Sequence, residues 1–563
     1  MNKKWHIYEP DTNKIEELKN KYKINELLAT ILVNRNIIEE KEIKLFLEPT
    51  RNDFYDPFLI TDMEIAINRI IKAINNQEKV TIYGDYDVDG ITSITVLKSF
   101  LKDVGLEASY YIPNRLEEGY GLNTLAIDEI KNNGCDLMIT VDCGISGIEE
   151  IKYANSLGIE TIITDHHEPG SELPKAVAVI DNKRKDSKYP FRELAGVGVV
   201  FKLIQALGTK LGLKEESYLK YLDIVCVGTI SDIVPLIDEN RVITKLGLLL
   251  VNQTKNIGLK SIINSCGYNN VDSNTISFGV APRINACGRM GKAEEALNLF
   301  LCKNIVQAQE LTKKLNMHNK ERQEIEKNIF NNAIEIIKKQ HLDKNKVIIV
   351  GGENWHHGVM GIVSSKITEM YFKPSILLSF EENGIGKGSG RSIPGFDLHE
   401  GLMKCSDILE KFGGHSMAVG VSVKKQNLNK FIEKFEKVAE SEHIEDIIPI
   451  INIDAKVNLS DINKDMVESL KLLEPFGEAN KMPIFAFKNL KIDSIRALSE
   501  GKHLKLTLKD NNFIINAIGF NIGSLVEEYK IGDKVDIAGL LEINNYGGQD
   551  NLQINIRDIM KSI

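Results

Sequence analysis

Three acid-bearing segments each follow a short run of β-forming residues, with helical stretches between them. Val80–Tyr83 leads into YGDYDVDG (Tyr83 to Gly90), Leu137–Val141 into VDCG (Val141 to Gly144), and Ile159–Thr164 into TDHH (Thr164 to His167). Repeated β-loop-α order implies a parallel sheet. Loops that follow parallel strands open together at the carboxyl edge of the sheet, where ligands bind. Asp85, Asp87, Asp89, Asp142, Asp165, His166 and His167 are therefore expected to converge. That many carboxylates in one crevice repel each other unless cations neutralise them, so the pattern predicts a multi-metal site. Two further clusters stand downstream. SDIVP (Ser231 to Pro235) places Asp232 at the end of the helical stretch Tyr218–Ile230, and FGGHSMAVG (Phe412 to Gly420) follows much later.

In Asp85-Tyr-Asp87-Val-Asp89-Gly90, alternate carboxylates of an extended segment would share one face. Gly90 would then let the chain turn into a helix at Ile91–Asp103. A calcium loop of the EF-hand type does not fit, because its twelfth position is Val96 and a strand precedes the run. Adjacent histidines in an extended loop point in different directions. One of His166 and His167 is expected to bind metal and the other to face substrate or to pack, while Asp165 orients a ring by accepting its second N–H. Mixed carboxylate and imidazole donors suit Mn²⁺ or Mg²⁺, with Mn²⁺ favoured by histidine, and match structural zinc poorly. Two such ions about 3.5–4 Å apart clamp a phosphate and generate hydroxide, which predicts hydrolysis of a phosphate ester or anhydride. Neither GxSxG nor a paired Cys–His context supports a nucleophilic serine or cysteine.

A chain of 563 residues is too long for one core, and three or four domains are expected. The first, 1–78, reads as a helical segment packed on a catalytic domain at 79–290; Ile24–Ile38 carries its clearest apolar spacing. From Lys292 to Val350, 59 residues pass without Gly or Pro, predicting one long helix or two shorter ones, with the linker at 291–345. A second α/β domain at 346–448 begins with the strand VIIVGG, followed by a helix His357–Tyr371, a strand Pro374–Phe380 and a glycine-rich turn NGIGKGSGRS (Asn383 to Ser392). At 449–563 the short strands His503–Leu508, Phe513–Phe520, Lys534–Ile543 and Leu552–Ile556 are spaced as in a small barrel. The net charge of -9 speaks weakly against a whole-surface polyanion binder but leaves room for a local basic groove. No window approaches the ~18 apolar residues of a membrane span, and MNKKWHIYEPD has no apolar signal core. Seven cysteines without CxxC spacing read as reduced thiols in a cytosol, Cys143 among them as a small packing residue.

GKGSGRS is not a P-loop, since the GKS/T order is wrong. Its glycine backbone, with Lys387 and Arg391, can still cradle a phosphate through N–H groups and a bidentate guanidinium. Gly413–His415 allows a ligand close to the backbone while His415 donates a hydrogen bond. Arg283 and Arg289, in APRINACGRMG (Ala281 to Gly291), are expected to contact phosphates.

YGDYDVDGITS, VDCGIS, TDHH and SDIVPL, in this order, resemble the signature motifs of the DHH phosphoesterases. GSGRS with GGHSMAVG resembles the DHHA1 domain that follows them. APRINACGRMG, the helical linker, WHHGVMGIVSSKI (Trp355 to Ile367) and LLEPFGEANKMPIF (Leu472 to Phe485) narrow the resemblance to the RecJ family of single-strand-specific 5′→3′ exonucleases. One departure is visible: the family pattern FGxGNPxP reads FGEANKMP here, with Ala479 and Lys481 in place of Gly and Pro. It puts the entry to the barrel in question.

The resemblance implies an α/β multidomain fold. A parallel-sheet DHH domain and an α/β DHHA1 domain, joined by a long helix, face each other across a cleft, and a C-terminal OB-fold β-barrel follows. It implies Asp87, Asp89, Asp142, His166 and Asp232 as ligands of two Mn²⁺ or Mg²⁺ ions, with Asp142 bridging. Asp85 joins the metal set, and Asp165 and His167 support it or face substrate, His167 among the catalytic residues. Arg391, Ser392 and His415 would hold the 5′ end, with Lys387, Ser389, Arg283 and Arg289 as further substrate contacts. Single-stranded DNA is the expected partner, supplied by a single-strand-binding protein and a RecQ-like helicase, for a cytoplasmic monomer acting in DNA repair and recombination. Two rivals remain: a DHH–DHHA1 nanoRNase or cyclic-dinucleotide phosphodiesterase, against which the extra barrel argues, and a non-catalytic replication scaffold, against which the intact carboxylates argue.

Overall fold

The computed structural model describes residues 3–115, 117–382, 384–546 and 549–562. The chain divides into two compact units, Tyr55–Val234 with Leu246–Ile447, and Met1–Phe54 with Pro235–Lys245 and Ile448–Ile563. The first unit holds a five-stranded, fully parallel sheet in the spatial order 108–111, 80–84, 137–141, 160–164, 178–180. Every residue of Val80–Gly84 and Leu137–Val141 is buried, which is why these strands read as unbroken β-branched runs and not as alternation. Each of the three strands found in the sequence delivers an acidic loop to the same edge. Ala108–Tyr111 and Ala178–Ile180 are additional edge-side strands too short to read.

The same unit contains a second sheet, ordered 411–415, 418–424, 385–391, 375–380, 348–353, with only the last pair parallel. Here the expected glycine-rich turn is corrected: Ile385–Arg391 is an interior strand (Asn383 lies outside the described residues). Glycine is required because one face of this strand is pressed against its neighbours. A Cβ on Gly386 would come within 2.5 Å of the Phe380 ring, and one on Gly388 within 2.1 Å of the Leu377 carbonyl oxygen. The Gly- and Pro-free stretch forms two helices, Ala293–Leu301 and Ile305–Lys339. The latter spans 35 residues, about 52 Å at 1.5 Å per residue. Its Ile329, Ala333 and Ile337 share a core with Ile348, Val350 and Leu377 of the second sheet.

In the other unit, strands 485–498, 503–510, 513–519, 549–561 and 534–546 close on one another as a five-stranded barrel. Phe485–Leu498, absent from the sequence reading, pairs with two barrel neighbours and, at its start, with Ala455–Lys456. It meets the two neighbours through register shifts near Phe487–Leu490 and Ile492–Ser494, and these bulges break the alternation a strand otherwise shows. The single N-terminal segment expected on the parallel-sheet domain is replaced by a divided one. Met63–Asn76 is part of the first unit. Helices Thr12–Tyr22, Glu26–Asn34 and Glu40–Leu47 contribute Ile15, Leu28, Ile31 and Phe46 to the barrel's core beside Phe485, Leu506 and Ile537. Lys4–Ile7, read as helical, is a strand paired parallel to Ile450–Ile453. The FGEANKMP turn is intact. Gly477 and Asn480 bridge, the Asn480 amide donates to Leu473 O and Pro475 O at 2.8 Å each, and Ala479 takes φ +58°.

Candidate active site

The acidic loops converge as the topology requires, but the first is not extended. Asp87 caps the helix Val88–Asp103, accepting from Gly90 N at 3.1 Å, so Asp85 ends the strand, Asp87 stands at the junction and Asp89 lies in the helix's first turn. Gly90 is thus inside the helix, not at a turn before it. Its value is close approach, since a Cβ there would fall 2.3 Å from Asp85 O. Asp89 is fixed by a second helix N-terminus, its two oxygens accepting from Gly196 N (2.6 Å) and Val197 N (2.8 Å). Asp142 follows its strand at φ +59°.

Three overlapping groups have ligand atoms within 4.8 Å of one another: Asp85, Asp87 and Asp142; Asp89, His166 and Asp232; Asp142, His166 and His167. His166 Nε2 lies 3.1 Å from Asp142, 3.6 Å from Asp232 and 3.8 Å from Asp89. Both its ring nitrogens, and Asp85 Oδ1, are buried without a hydrogen-bond partner. Burial and the neighbouring carboxylates push Asp85, Asp142 and Asp232 well above the usual carboxylate range, and Asp89 up to about 7. Burial, with His167 beside it, drives His166 down to about 3, which keeps the imidazole neutral as a ligand must be. This donor set, oxygen-rich and electrostatically incomplete, fits divalent cations of the Mn²⁺ or Mg²⁺ kind.

Asp165 does different work. Its Oδ1 accepts from His167 Nδ1 at 2.7 Å and from the His166 and His167 amides, and its Oδ2 accepts from Ile145 N. Burial opposes ionisation, but these bonds hold its carboxyl below the usual range and raise His167. His167 also meets Tyr120, whose hydroxyl lies 3.2 Å from Nδ1. Cys143 is a buried free thiol that donates to Tyr83 O at 3.9 Å.

Beside the acids stands a cluster of cations. Arg289 donates to Gly358 O at 2.7 Å, and its guanidinium is lowered to about 10 by burial and by Arg115, Arg322 and Arg391. Arg391 lies flat on the helix His357–Tyr371, where a Cβ on Gly361 would come 2.8 Å from Nη2. Lys387, Ser389 and Arg391 alternate along one face of their strand. Arg391 is in register with Ala418, and Ala418 with His415, so His415 sits two strands from Arg391, exposed. Two residues depart from expectation. The Ser392 hydroxyl is occupied by Phe396 O at 2.7 Å, and Arg283 is tied to Asn316 and Gly279 O, each at 2.6 Å. The sequence reading missed Arg115, whose guanidinium carbon lies 5.0 Å from the Tyr86 ring centre, and Tyr120. Both belong to the loop after Ala108–Tyr111, at the sheet edge that carries the acids.

The chain matches the family models for the DHH family N-terminal domain at residues 79–229, the DHHA1 domain at 344–441 and the RecJ OB domain at 453–558. The single-stranded-DNA-specific exonuclease RecJ of Bacillus subtilis is 40% identical over 561 residues, covering 99% of this chain and 70% of that protein. Its namesake from Haemophilus influenzae is 31% identical, covering 94% and 95%. The crystal structure of RecJ in complex with Mn²⁺ from Thermus thermophilus matches with a TM-score of 0.85 at 28% identity, over 100% of this chain and 80% of that one. With its parallel-sheet, second α/β and closed-barrel domains in the same order, the chain belongs to the RecJ family of DHH phosphoesterases.

Proposed function

We propose that the protein is a metal-dependent exonuclease that degrades single-stranded DNA from the 5′ end to 5′-mononucleotides. The observation that carries this reading is the juxtaposition of a buried, proton-hungry carboxylate–imidazole cluster with a cluster of arginines around Asp87 and Tyr86. Asp85, Asp87, Asp89, Asp142, His166 and Asp232 would hold two Mn²⁺ or Mg²⁺ ions, with Asp142 between them. Bound there, the cations would neutralise the scissile phosphate and lower the pKa of an attacking water. Asp165 fixes the ring of His167 through the 2.7 Å bond to Nδ1. Arg115, Arg289 and Arg391, with Ser389 and Lys387 on the strand of Arg391 and His415 on the same sheet, would grip the terminal phosphate bidentately; a free 5′ end is what such a dead-end grip selects. Arg283 and Ser392 are left to structural roles.

The RecJ OB domain match at 453–558 favours a long single strand over a dinucleotide, because OB barrels hold single strands by stacking and a basic groove. The division into a catalytic domain at 79–290, a linker at 291–345, and domains at 346–448 and 449–563 is proposed with it. So are a cytoplasmic, monomeric working state and a supply of unwound strand by a single-strand-binding protein and a RecQ-like helicase. The test uses single strands labelled at either end. With Mn²⁺ or Mg²⁺ a 5′ label should leave at once as mononucleotide and a 3′ label only at the end; excess chelator or Asp142→Ala should stop both. Early release of the 3′ label, or near-normal rates in Asp142→Ala, would overturn the reading.

A further inference from the structure

Beyond the acid and arginine clusters the same unit carries a second built pocket. Thr275–Val280 is a π-helical turn that runs directly into the helix Ala281–Arg289, and π turns within helices are frequent at functional sites. Asn285 and Arg289, four residues apart, fall on one face of the α-helix into which the π turn carrying Phe278 runs. Asn285 Oδ1 accepts from Val88 N of the metal motif at 3.3 Å, and Arg289 belongs to the arginine cluster. Phe278 is nevertheless 78% exposed, an apolar ring in solvent about 16 Å along the helix from Arg289 at 1.5 Å per residue. Tyr268 lies beside it, 45% exposed, its ring edge seated on Gly279, where a Cβ would come within 3.1 Å of Cε2.

The two rings, with Arg283, Asn316, Asn319 and Lys320, line a pocket of about 570 Å³. Its polar wall is ordered and continuous with the active site. Arg283 is fixed by Asn316 and Gly279 O at 2.6 Å each, Asn319 accepts from Arg322 at 2.6 Å, and Arg322 is one of the cations acting on Arg289. A line of polar side chains, Arg322 paired with Glu326 and then Asn319 and Asn316, therefore runs along Ile305–Lys339 between the arginine cluster and the aromatic pocket.

We propose that Phe278 and Tyr268 form a base-stacking platform for the substrate strand, a few nucleotides to the 3′ side of the scissile bond. The proposal rests on the exonuclease reading above. Every base presents a π-face, so two exposed rings beside cations suit a strand of any sequence. The distance of about 16 Å corresponds to roughly five nucleotides at 3.4 Å each, fewer if the strand is extended. Lys320 would face the backbone phosphates there, with Arg283 holding the pocket wall through Asn316 and Gly279 O.

The test uses the full chain with Mn²⁺ and two 5′-phosphorylated DNA substrates, a trinucleotide and a dodecamer of mixed sequence. Phe278→Ala and Tyr268→Ala should each raise KM for the dodecamer at least about fivefold more than for the trinucleotide, and Phe278→Trp should restore most of the difference. An abasic site scanned along the dodecamer should reproduce the loss at one position in the unsubstituted chain and cost nothing further there in Phe278→Ala. Equal effects on both lengths, no effect on either, or a Phe278→Trp variant as impaired as Phe278→Ala would overturn the platform while leaving the exonuclease standing; the last pattern would assign the ring to protein docking. An unsubstituted chain that degrades neither substrate would take down both readings.

Discussion

Gly196 packs between two carboxylates of the acid cluster, Asp89 and Asp142. Its amide donates to Asp89 at 2.6 Å, and a Cβ built on it would stand 2.8 Å from both Cβ and Oδ1 of Asp142. Ordinary contact begins near 3.4 Å, so Gly196→Ala requires Asp142 to recede by about 0.6 Å, the difference between those two distances. Asp142, held at φ +59°, has little backbone freedom with which to do so. Alanine gains up to about 1 kcal/mol of helix propensity over glycine, against about 1–3 kcal/mol for overpacking; the net stability loss should be at most about 3 kcal/mol. The catalytic loss should be larger, because a misplacement of about 1 Å in a reacting constellation costs on the order of 100-fold. We expect a fall in kcat of tens-fold and weaker Mn²⁺ binding, read by single-turnover degradation of a 5′-labelled strand and by calorimetric titration. Gly208→Ala is the control. It sits on the same helix, and its Cβ would press on the Tyr218 ring at 3.0 Å, away from the carboxylates. It should cost stability and spare activity. A Gly196→Ala chain within twofold of the unsubstituted one in both rate and Mn²⁺ affinity would refute the reasoning.

Two further outcomes are expected. Asp89, raised to about 7, and Asp85, Asp142 and Asp232, also raised, hold protons that the unfolded chain has already released. The metal-free fold should therefore lose stability as pH climbs from about 4 through 7, and the rise in Tm on adding Mn²⁺ should widen between pH 5 and 8; a pH-independent increment would count against it. Ala479 occupies the left-handed region at φ +58°, which costs an L-residue roughly 1–2 kcal/mol, while glycine would return about 0.4–1 kcal/mol through the unfolded chain. Ala479→Gly should thus raise the urea midpoint slightly, and a clear drop would show that the turn is not strained by alanine.

The parallel sheet was legible because its central strands are buried on both faces, which writes unbroken β-branched runs such as those ending at Tyr83, Val141 and Thr164. The same physics hid Ile385–Arg391. Where neighbouring side chains press on one face of a strand, glycine replaces β-formers, and GKGSGR then looks like a turn. Phe485–Leu498 was hidden by the bulges that let it serve two barrel neighbours. The partner of residues 3–54 was beyond reach for another reason: amphipathic helices report that they bury a face, not that the face belongs to a barrel more than 400 residues away in sequence, as with Asn25 donating to Ser469. At the site, acids and histidines were found because metal chemistry clusters them in sequence. Arg115 stands alone in its loop and carries no such pattern; only the rule that every loop after a parallel strand reaches the same edge could have singled it out.

What unites the two halves of the site is that each is electrostatically unfinished in the opposite sense. The carboxyl groups are displaced upward and the guanidinium of Arg289 downward, to about 10, both toward neutrality, because each charge is buried among its own kind. Burial and the neighbouring arginines outweigh the opposing pull of Asp87 on Arg289. A ligand that completes both must bring cations to the acids and anions to the arginines at once. A 5′-terminal strand entering with divalent ions would do so, with Arg115, Arg289 and Arg391 placed to take its terminal phosphate and the carboxylates to take the cations. Neither a metal ion alone nor a phosphate alone relieves both sets of repulsion, so binding of the two should be mutually reinforcing.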